Sequence, residues 1–240
     1  MCGRYSLAVP DPAQVRARFP VGESVEIRRR YNVAPTDDVL AVTTDRDGHP
    51  RGELLRWGLV PSWADSPKIG ARMINARLES VAEKPAFRTA FRRYRCLIVA
   101  DGFYEWRRAD PAATHPRRAF HITRDDGAPF AFAGLWSIWH GPGDESLRTC
   151  TIITRPANER IAVLHDRMPV ILDPRDEADW LDAATPEGAL REMLAGLPAE
   201  RTALTEVGRA VNDARHDAPD CLEPPAAPAP ERLEPQPSLF

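Results

Sequence analysis

The chain has 240 residues, which allows one large domain or two small ones at about 150 residues per domain. Its hydrophobic (43%) and charged (28%) fractions and net charge of −3 fit a soluble globular protein. No apolar run approaches the roughly 18–20 residues of a membrane span, and no basic start leads into a signal-like apolar segment. The four cysteines, Cys2, Cys96, Cys150 and Cys221, are far apart with no C-x-x-C pair, which argues against a zinc ribbon or disulfide scaffold and fits a reducing cytosol.

In chain order, DPAQVRARF (11–19) predicts a helix, with Asp11 as cap, Pro12 in the first turn, and Val15 and Phe19 on one face. VLAVTT (39–44) and ELLRWGLV (53–60) predict strands joined by the turn-forming DRDGHP. RLESVAEKPAFRTAFRR (77–93) predicts one or two helices broken near Pro85. RCLIVADGFYEW (95–106) predicts strand, interrupted at Asp101-Gly102. RAFHITR (118–124) and FAFAGLWSIW (130–139) flank RDDGAP, which predicts a hairpin turn. RTCTIIT (148–154) is a further strand, PANERIAVLHDR (156–167) a short helix, MPVIL (168–172) a strand, 176–197 two amphipathic helices, and ALTEVG (203–208) a last strand. Many short strands without βαβ alternation predict an α+β fold, a curved antiparallel, barrel-like sheet with peripheral helices. From Ala218 onward seven Pro fall in 23 residues, so the expected division is a domain over 2–217 and a disordered tail over 218–240.

Charge is uneven along the chain. Residues 1–110 carry 19 Lys+Arg against 14 Asp+Glu, and residues 111–240 carry 13 against 21. A basic first half suits a polyanion, although 30 of the 32 basic residues are Arg, a bias that the Ala- and Pro-rich composition explains as well.

The start, MCGRY, is the most unusual feature. Met is normally trimmed before a small second residue, which would give Cys2 a free α-amine beside its thiol. Their unperturbed pKa values, about 8 and 8.5, leave a usable fraction of each nucleophilic near neutrality. Such a 1,2-aminothiol attacks aldehydes, the amine forming a Schiff base and the thiol closing a thiazolidine. The bland alternative is a frayed terminus. Glu105, between aromatics in DGFYEW, is either an acid/base carboxyl with a raised pKa or a surface Glu at a strand end. His165 in VLHDRMP is either chemical or structural. Asn75 and Arg77 in MINARLES predict a strand-to-helix junction capped by Asn75. Trp57 and Trp63 in RWGLVPSW read first as core, with a stacking loop as the alternative for the Trp beside the prolines.

Singly these residues decide nothing. In order, MCGRY, RYNVAPT (30–36), WGLVPSW (57–63), INAR.E (74–79), ADGFYEW (100–106), IIT (152–154) and HDRMPVIL (165–172) resemble the SOS response-associated peptidase family of abasic-site processing proteins, over roughly residues 2–215. The resemblance implies a compact α+β fold around a barrel-like sheet with a positively charged groove for single-stranded DNA. It implies a covalent bond from Cys2, after loss of Met1, to the ring-opened aldehyde of an abasic site. It assigns Asn75 to holding the opened sugar, Glu105 to acid/base work, and His165 to Schiff-base formation and cross-link reversal. Arg4 and Arg77 match positions that grip the DNA backbone, Pro35 and Trp63 lie in loops against neighbouring bases, and Thr154 and Arg167 line the DNA surface. No metal or cofactor is implied. The expected protein is a cytoplasmic monomer at the nucleoid and replication forks. WGLVPSW has one Trp after Pro-Ser where some relatives carry two aromatics, and VNDARHDAPDC (211–221) follows the family's last motif only loosely.

Two other functions compete: an N-terminal cysteine peptidase able to process itself, with Cys2, His165 and Glu105 acting on peptide bonds, and a non-catalytic single-strand binder. The tail carries a separate expectation. Gln236-Pro237-Ser238-Leu239-Phe240 resembles the pentapeptide by which bacterial proteins bind the replication sliding clamp, with Gln236 at the pocket rim and Leu239 and Phe240 as apolar anchors.

Overall fold

The structure, a computed structural model, describes residues 2–8, 11–107 and 118–226. In chain order its elements are β1 (Tyr5–Leu7), α1 (Pro12–Arg18), β2 (Arg30–Val33), β3 (Asp38–Thr44), β4 (Pro50–Trp57), β5 (Asn75–Arg77), α2 (Arg88–Arg93), β6 (Arg95–Ala100), β7 (Gly102–Trp106), β8 (Ala119–Arg124), β9 (Phe130–His140), β10 (Ser146–Pro156), α3 (Glu159–Ala162), β11 (Arg167–Pro169), α4 (Glu177–Leu181), α5 (Glu187–Met193) and β12 (Thr202–Val207). The expected α+β class stands.

One sheet runs β12-β8-β7-β1-β2, all antiparallel. The second follows the path β11-β10-β4-β3-β6-β9, and an additional β9–β10 pairing closes β10, β4, β3, β6 and β9 into a ring. Within it β10 pairs in parallel with β4 and with β5, so the sheet is mixed. Ile152 of β10 faces Gly134 of β9 and Asn75 of β5, and Thr154 faces Arg77 of β5 and Pro169 of β11. Strand β10 therefore carries β9 and β11 along one edge, β4 and β5 along the other.

Alternation sorts the side chains between two cores. Val39 and Ala41, Cys96 and Ile98, and Phe130 and Phe132 pack with Tyr5, Phe103 and Ile122 of the other sheet. Their neighbours Leu40, Val42, Leu97, Val99, Ala131 and Ala133 pack beneath the helices with Phe19, Phe91, Trp180 and Leu190. Both faces of β3, β6 and the first half of β9 are thus buried, which explains why RCLIVA and FAFAGL read as continuous apolar runs.

Four expectations change. RDDGAP is not a hairpin: β8 pairs with β7 and β12, whereas β9 pairs with β6 and β10, so this turn carries the chain from one sheet to the other. The helix expected over 77–93 is reduced to α2, because β10 recruits 75–77 as a strand and 78–87 forms turns. Asn75 is accordingly no helix cap. The segment 156–167 keeps only the short α3, capped by the Asn158 side chain. Nor does the packed domain end at 217. A 3-10 turn at Pro219–Leu222 buries Cys221 against Tyr104 and Val211, and Gly208 N–H donates to Glu223 O at 2.8 Å. The clamp-like residues Gln236, Leu239 and Phe240 lie outside the described residues.

Candidate active site

The candidate site is the polar end of the apolar layer between the two sheets. Glu105 lies two residues after Phe103 on β7, so it shares the inward face and is 3% exposed. Burial, with a smaller push from the Asp166 carboxylate, raises its carboxyl to about 7. A carboxyl titrating there holds both protonation states at neutral pH, as proton transfer requires. The surface alternative for Glu105 is thereby excluded.

Cys2 is fully buried in the same layer. Its main chain leads into β1, which β7 and β2 flank. Tyr104 N–H donates to Arg4 O at 3.0 Å, and Asn75 Nδ2 donates to Cys2 O at 2.8 Å. Asn75 Oδ1 is buried with no hydrogen-bond partner among the described residues, an acceptor left over for a bound group. The Cys2 thiol, 3.8 Å from Arg4 O, is pushed far above its usual range, first by burial and then by the Glu105 charge. Glu105 is therefore close enough to act on Cys2 electrostatically. The frayed-terminus alternative does not hold for Cys2.

His165 follows α3 and is part-buried, in the segment whose Asp166 charge reaches Glu105. Its Nδ1 lies 3.0 Å from Arg167 N–H and 2.9 Å from Asp166 Oδ1. One nitrogen cannot accept from the first and donate to the second at once, so its tautomer decides between them.

Behind β1, Ser6 Oγ donates to Asp101 Oδ1 at 2.5 Å and lies 2.8 Å from His121 Nε2. The hydroxyl has one proton, so His121 must supply the other. Burial pushes His121 down to about 4, against the opposing pull of Asp101, which suits a neutral donor. Asp101 Oδ2 also accepts Ala8 N–H at 2.7 Å. These bonds fix the register of β1 on β7, and hence Cys2 relative to Glu105.

The remaining sequence candidates surround this cluster. Arg4 Nη1 donates to Asn32 Oδ1 at 2.9 Å and Val211 O at 2.8 Å, with the guanidinium over Trp106. Arg167 pairs with Glu79 and donates to Thr154 O at 2.6 Å, so it braces β10 against β11. Arg77 is exposed, Thr154 is buried and Pro35 is half-buried. Trp57 is core, and Trp63 is 60% exposed beside a groove of about 400 Å³ that also contains Tyr94 and Trp136. Sequence reasoning missed Asn32. It is buried, and its Nδ2 donates to Asp213 O and His216 O at 2.9 and 2.7 Å. The signal available was a lone amide inside the apolar RYNVAP.

The fold and cluster define a two-sheet α+β protein with a buried cysteine near the chain's start, beside an amide and a buried carboxyl. The chain belongs to the SOS response associated peptidase (SRAP) family, whose sequence profile matches residues 1–214. It is 39% identical over 229 residues to the abasic site processing protein YoqW of Bacillus subtilis (strain 168), covering 93% of this chain and 99% of that one. It is 29% identical over 236 residues to YedK of Escherichia coli (strain K12), covering 93% and 100%, and 30% identical over 274 residues to HMCES of Mus musculus, covering 93% and 76%. Both carry the same description as YoqW. The fold matches a crystal structure from Bacteroides thetaiotaomicron with a TM-score of 0.82 at 22% identity, covering 92% of this chain and 99% of that one.

Proposed function

We propose that this protein captures abasic sites in single-stranded DNA covalently through Cys2, with Asn75, Glu105 and His165 as its chemical partners. The observation that carries the reading is the convergence of a buried Cys2, the Asn75 amide on its carbonyl and a carboxyl raised to about 7. The names of the relatives, abasic site processing proteins, support the substrate.

Removal of Met1 frees the Cys2 amine. The amine adds to the sugar aldehyde, Glu105 protonates the departing hydroxyl of the carbinolamine, and water leaves an imine. The thiol then adds to the imine carbon, its proton passes to the nitrogen, and a thiazolidine closes. An abasic site has no base to read, so phosphate contacts and stacking on neighbouring bases must locate it. Arg4, Arg77, Pro35, Trp63, Thr154 and Arg167 are assigned to that surface, and the exposed indole of Trp63 supports stacking. Arg167 would contact phosphate only by releasing Glu79 or Thr154.

The protein works in this reading as a monomer in the cytoplasm at exposed template, without metal or cofactor. The tail reaches a sliding clamp through Gln236, Leu239 and Phe240. Among the described residues no helix is long and apolar enough to cross a membrane. The test is a denaturing gel of the protein with a single strand bearing one abasic site. A slow-migrating adduct, absent with Cys2→Ala and with undamaged DNA, is expected. A chain that retains Met1 yet forms the adduct would overturn the mechanism.

A further inference from the structure

Apart from the Cys2 cluster, a pocket of about 260 Å³ opens at the end of β4, lined by Thr36, Arg56, Trp57, Gly58, Pro67, Lys68, Gly70 and Ala71. Two of these residues are cations and none is a carboxylate. Elsewhere in the chain Arg16, Arg18, Arg28, Arg30 and Arg51 pair with acids. Arg56 and Lys68 are exposed, and neither makes an ion pair among the described residues. The nearest acid by register is Asp38, opposite Arg56 in the β3–β4 ladder, and the two side chains form no ion pair.

The backbone brings the two cations together. A Cβ on Gly58 would meet Gly70 O at 2.6 Å, and one on Gly70 would meet Gly58 O at 2.5 Å. Only a glycine pair lets the 67–72 turn lie flat on the end of β4, which sets Lys68 beside Arg56. Thr36 forms the other wall with a φ of 77°, the left-handed region that a β-branched residue rarely adopts. Its N–H donates to Trp57 O at 2.8 Å, which pins it there. Trp57 links the pocket to the candidate site: its Nε1 donates to Ile74 O at 2.9 Å, next to the Asn75 that holds Cys2.

We propose that this pocket seats a phosphate of the strand bound at Cys2, held by the Arg56 guanidinium and the Lys68 ammonium, with the Thr36 hydroxyl as a neutral donor. The proposal rests on the reading of the protein as a single-strand binder and adds a subsite to it. A planar guanidinium and a point-charge ammonium in one concavity without a competing acid suit a phosphodiester oxyanion. Neither residue touches the reacting atoms, so their contribution is to affinity and register rather than to bond formation.

The experiment measures binding of an undamaged fluorescent oligothymidine to the full chain by anisotropy between 50 and 300 mM NaCl. Wild type is compared with Arg56→Gln/Lys68→Gln and with Arg175→Gln/Arg191→Gln, which removes two charges near α4 and α5. Single strands lose about 0.7 in slope per phosphate contact, so the pocket variant, which gives up one phosphate, is expected to lose about 0.7 and the control less than half of that. Equal slopes in wild type and pocket variant, or an equal loss in the control, would overturn the pocket while leaving the proposed function intact. Wild type that does not bind the strand at all would overturn both. Inorganic phosphate at matched ionic strength that binds wild type and not the pocket variant, yet leaves strand affinity unchanged, would assign the pocket to a free anion and overturn the strand assignment.

Discussion

Glu105 and Cys2 oppose each other electrostatically, and the consequences separate by pH. Folding raises the Glu105 carboxyl to about 7 from an ordinary 4.5. Its contribution to stability is therefore fully present below pH 4.5 and is lost as pH rises through 7. Glu105→Gln, which cannot ionise, is expected to melt higher than wild type at pH 8, by on the order of 3 kcal/mol at most, with the gap narrowing by pH 4.5. The same variant should form adduct about 10²–10⁴-fold more slowly, the usual contribution of a positioned acid/base group. Parallel melting curves at pH 4.5, 6 and 8 check the first effect and adduct time courses the second. Wild-type adduct rates would remove Glu105 from the chemistry. Asn75→Ala removes the donor to Cys2 O and the spare Oδ1. Adduct yield at equal DNA occupancy is expected to fall at least tenfold, because a hydrogen bond contributes about 1 kcal/mol and two functions of the amide are lost together.

The element that places these residues is β1, only three residues long and held from both sides. Its register depends on Ser6, Asp101 and His121, and the His121 ring fills the space where Gly102 has no side chain. A Cβ at Gly102 would meet His121 Nε2 at 2.1 Å. Gly102→Ala must displace the buried ring or split β7 from β8, a strain of about 1–3 kcal/mol. It is expected to lower the melting temperature and slow adduct formation while leaving affinity for undamaged single strands near wild type. An adduct rate that falls only in proportion to the unfolded fraction would show that β1 register does not govern the chemistry. Short strands of this kind are also where sequence reading loses sight of the fold. Strands β3, β4, β6 and β10 and helix α1 carried their own signal in alternation, apolar runs and a capping box. Strands β1, β2 and β5 did not, because YSL, RYNV and NAR become strands through partners distant in sequence. The RDDGAP turn has hairpin chemistry, yet the flanking strands find better partners in different sheets. The candidate site residues were named from motif order. The burial of Glu105 and the Asn75–Cys2 bond were not, since both arise where the two sheets meet.

For the whole molecule, packing rather than proline density sets how far the domain reaches. Proline density begins at Ala218, but the structure anchors the chain well beyond it. Asp217 accepts from Tyr31 and Asn32 N–H and pairs with Arg30. Cys221 is buried beside Tyr104, and Glu223 O accepts from Gly208. This strap also lies over the Asn32 amide that holds Arg4. Truncation after Asp217 removes the Cys221 and Leu222 contacts, at about 2–3 kcal/mol for side chains of that size. In a domain of this length that corresponds to a drop of roughly 4–12 °C in melting temperature. Truncation after Ala226 leaves every one of those contacts in place, so its melting temperature and adduct rate should match the full chain. The two truncations also separate the tail's proposed partner from the domain's chemistry. Calorimetry against a purified bacterial sliding clamp should show binding by the full chain that is lost on removing residues 227–240 or on changing Leu239 and Phe240 to Ala. Clamp affinity that survives both changes would place the contact on the folded domain instead, and affinity weaker than about 1 mM for the full chain, equivalent to about −4 kcal/mol, would dismiss the clamp as a partner.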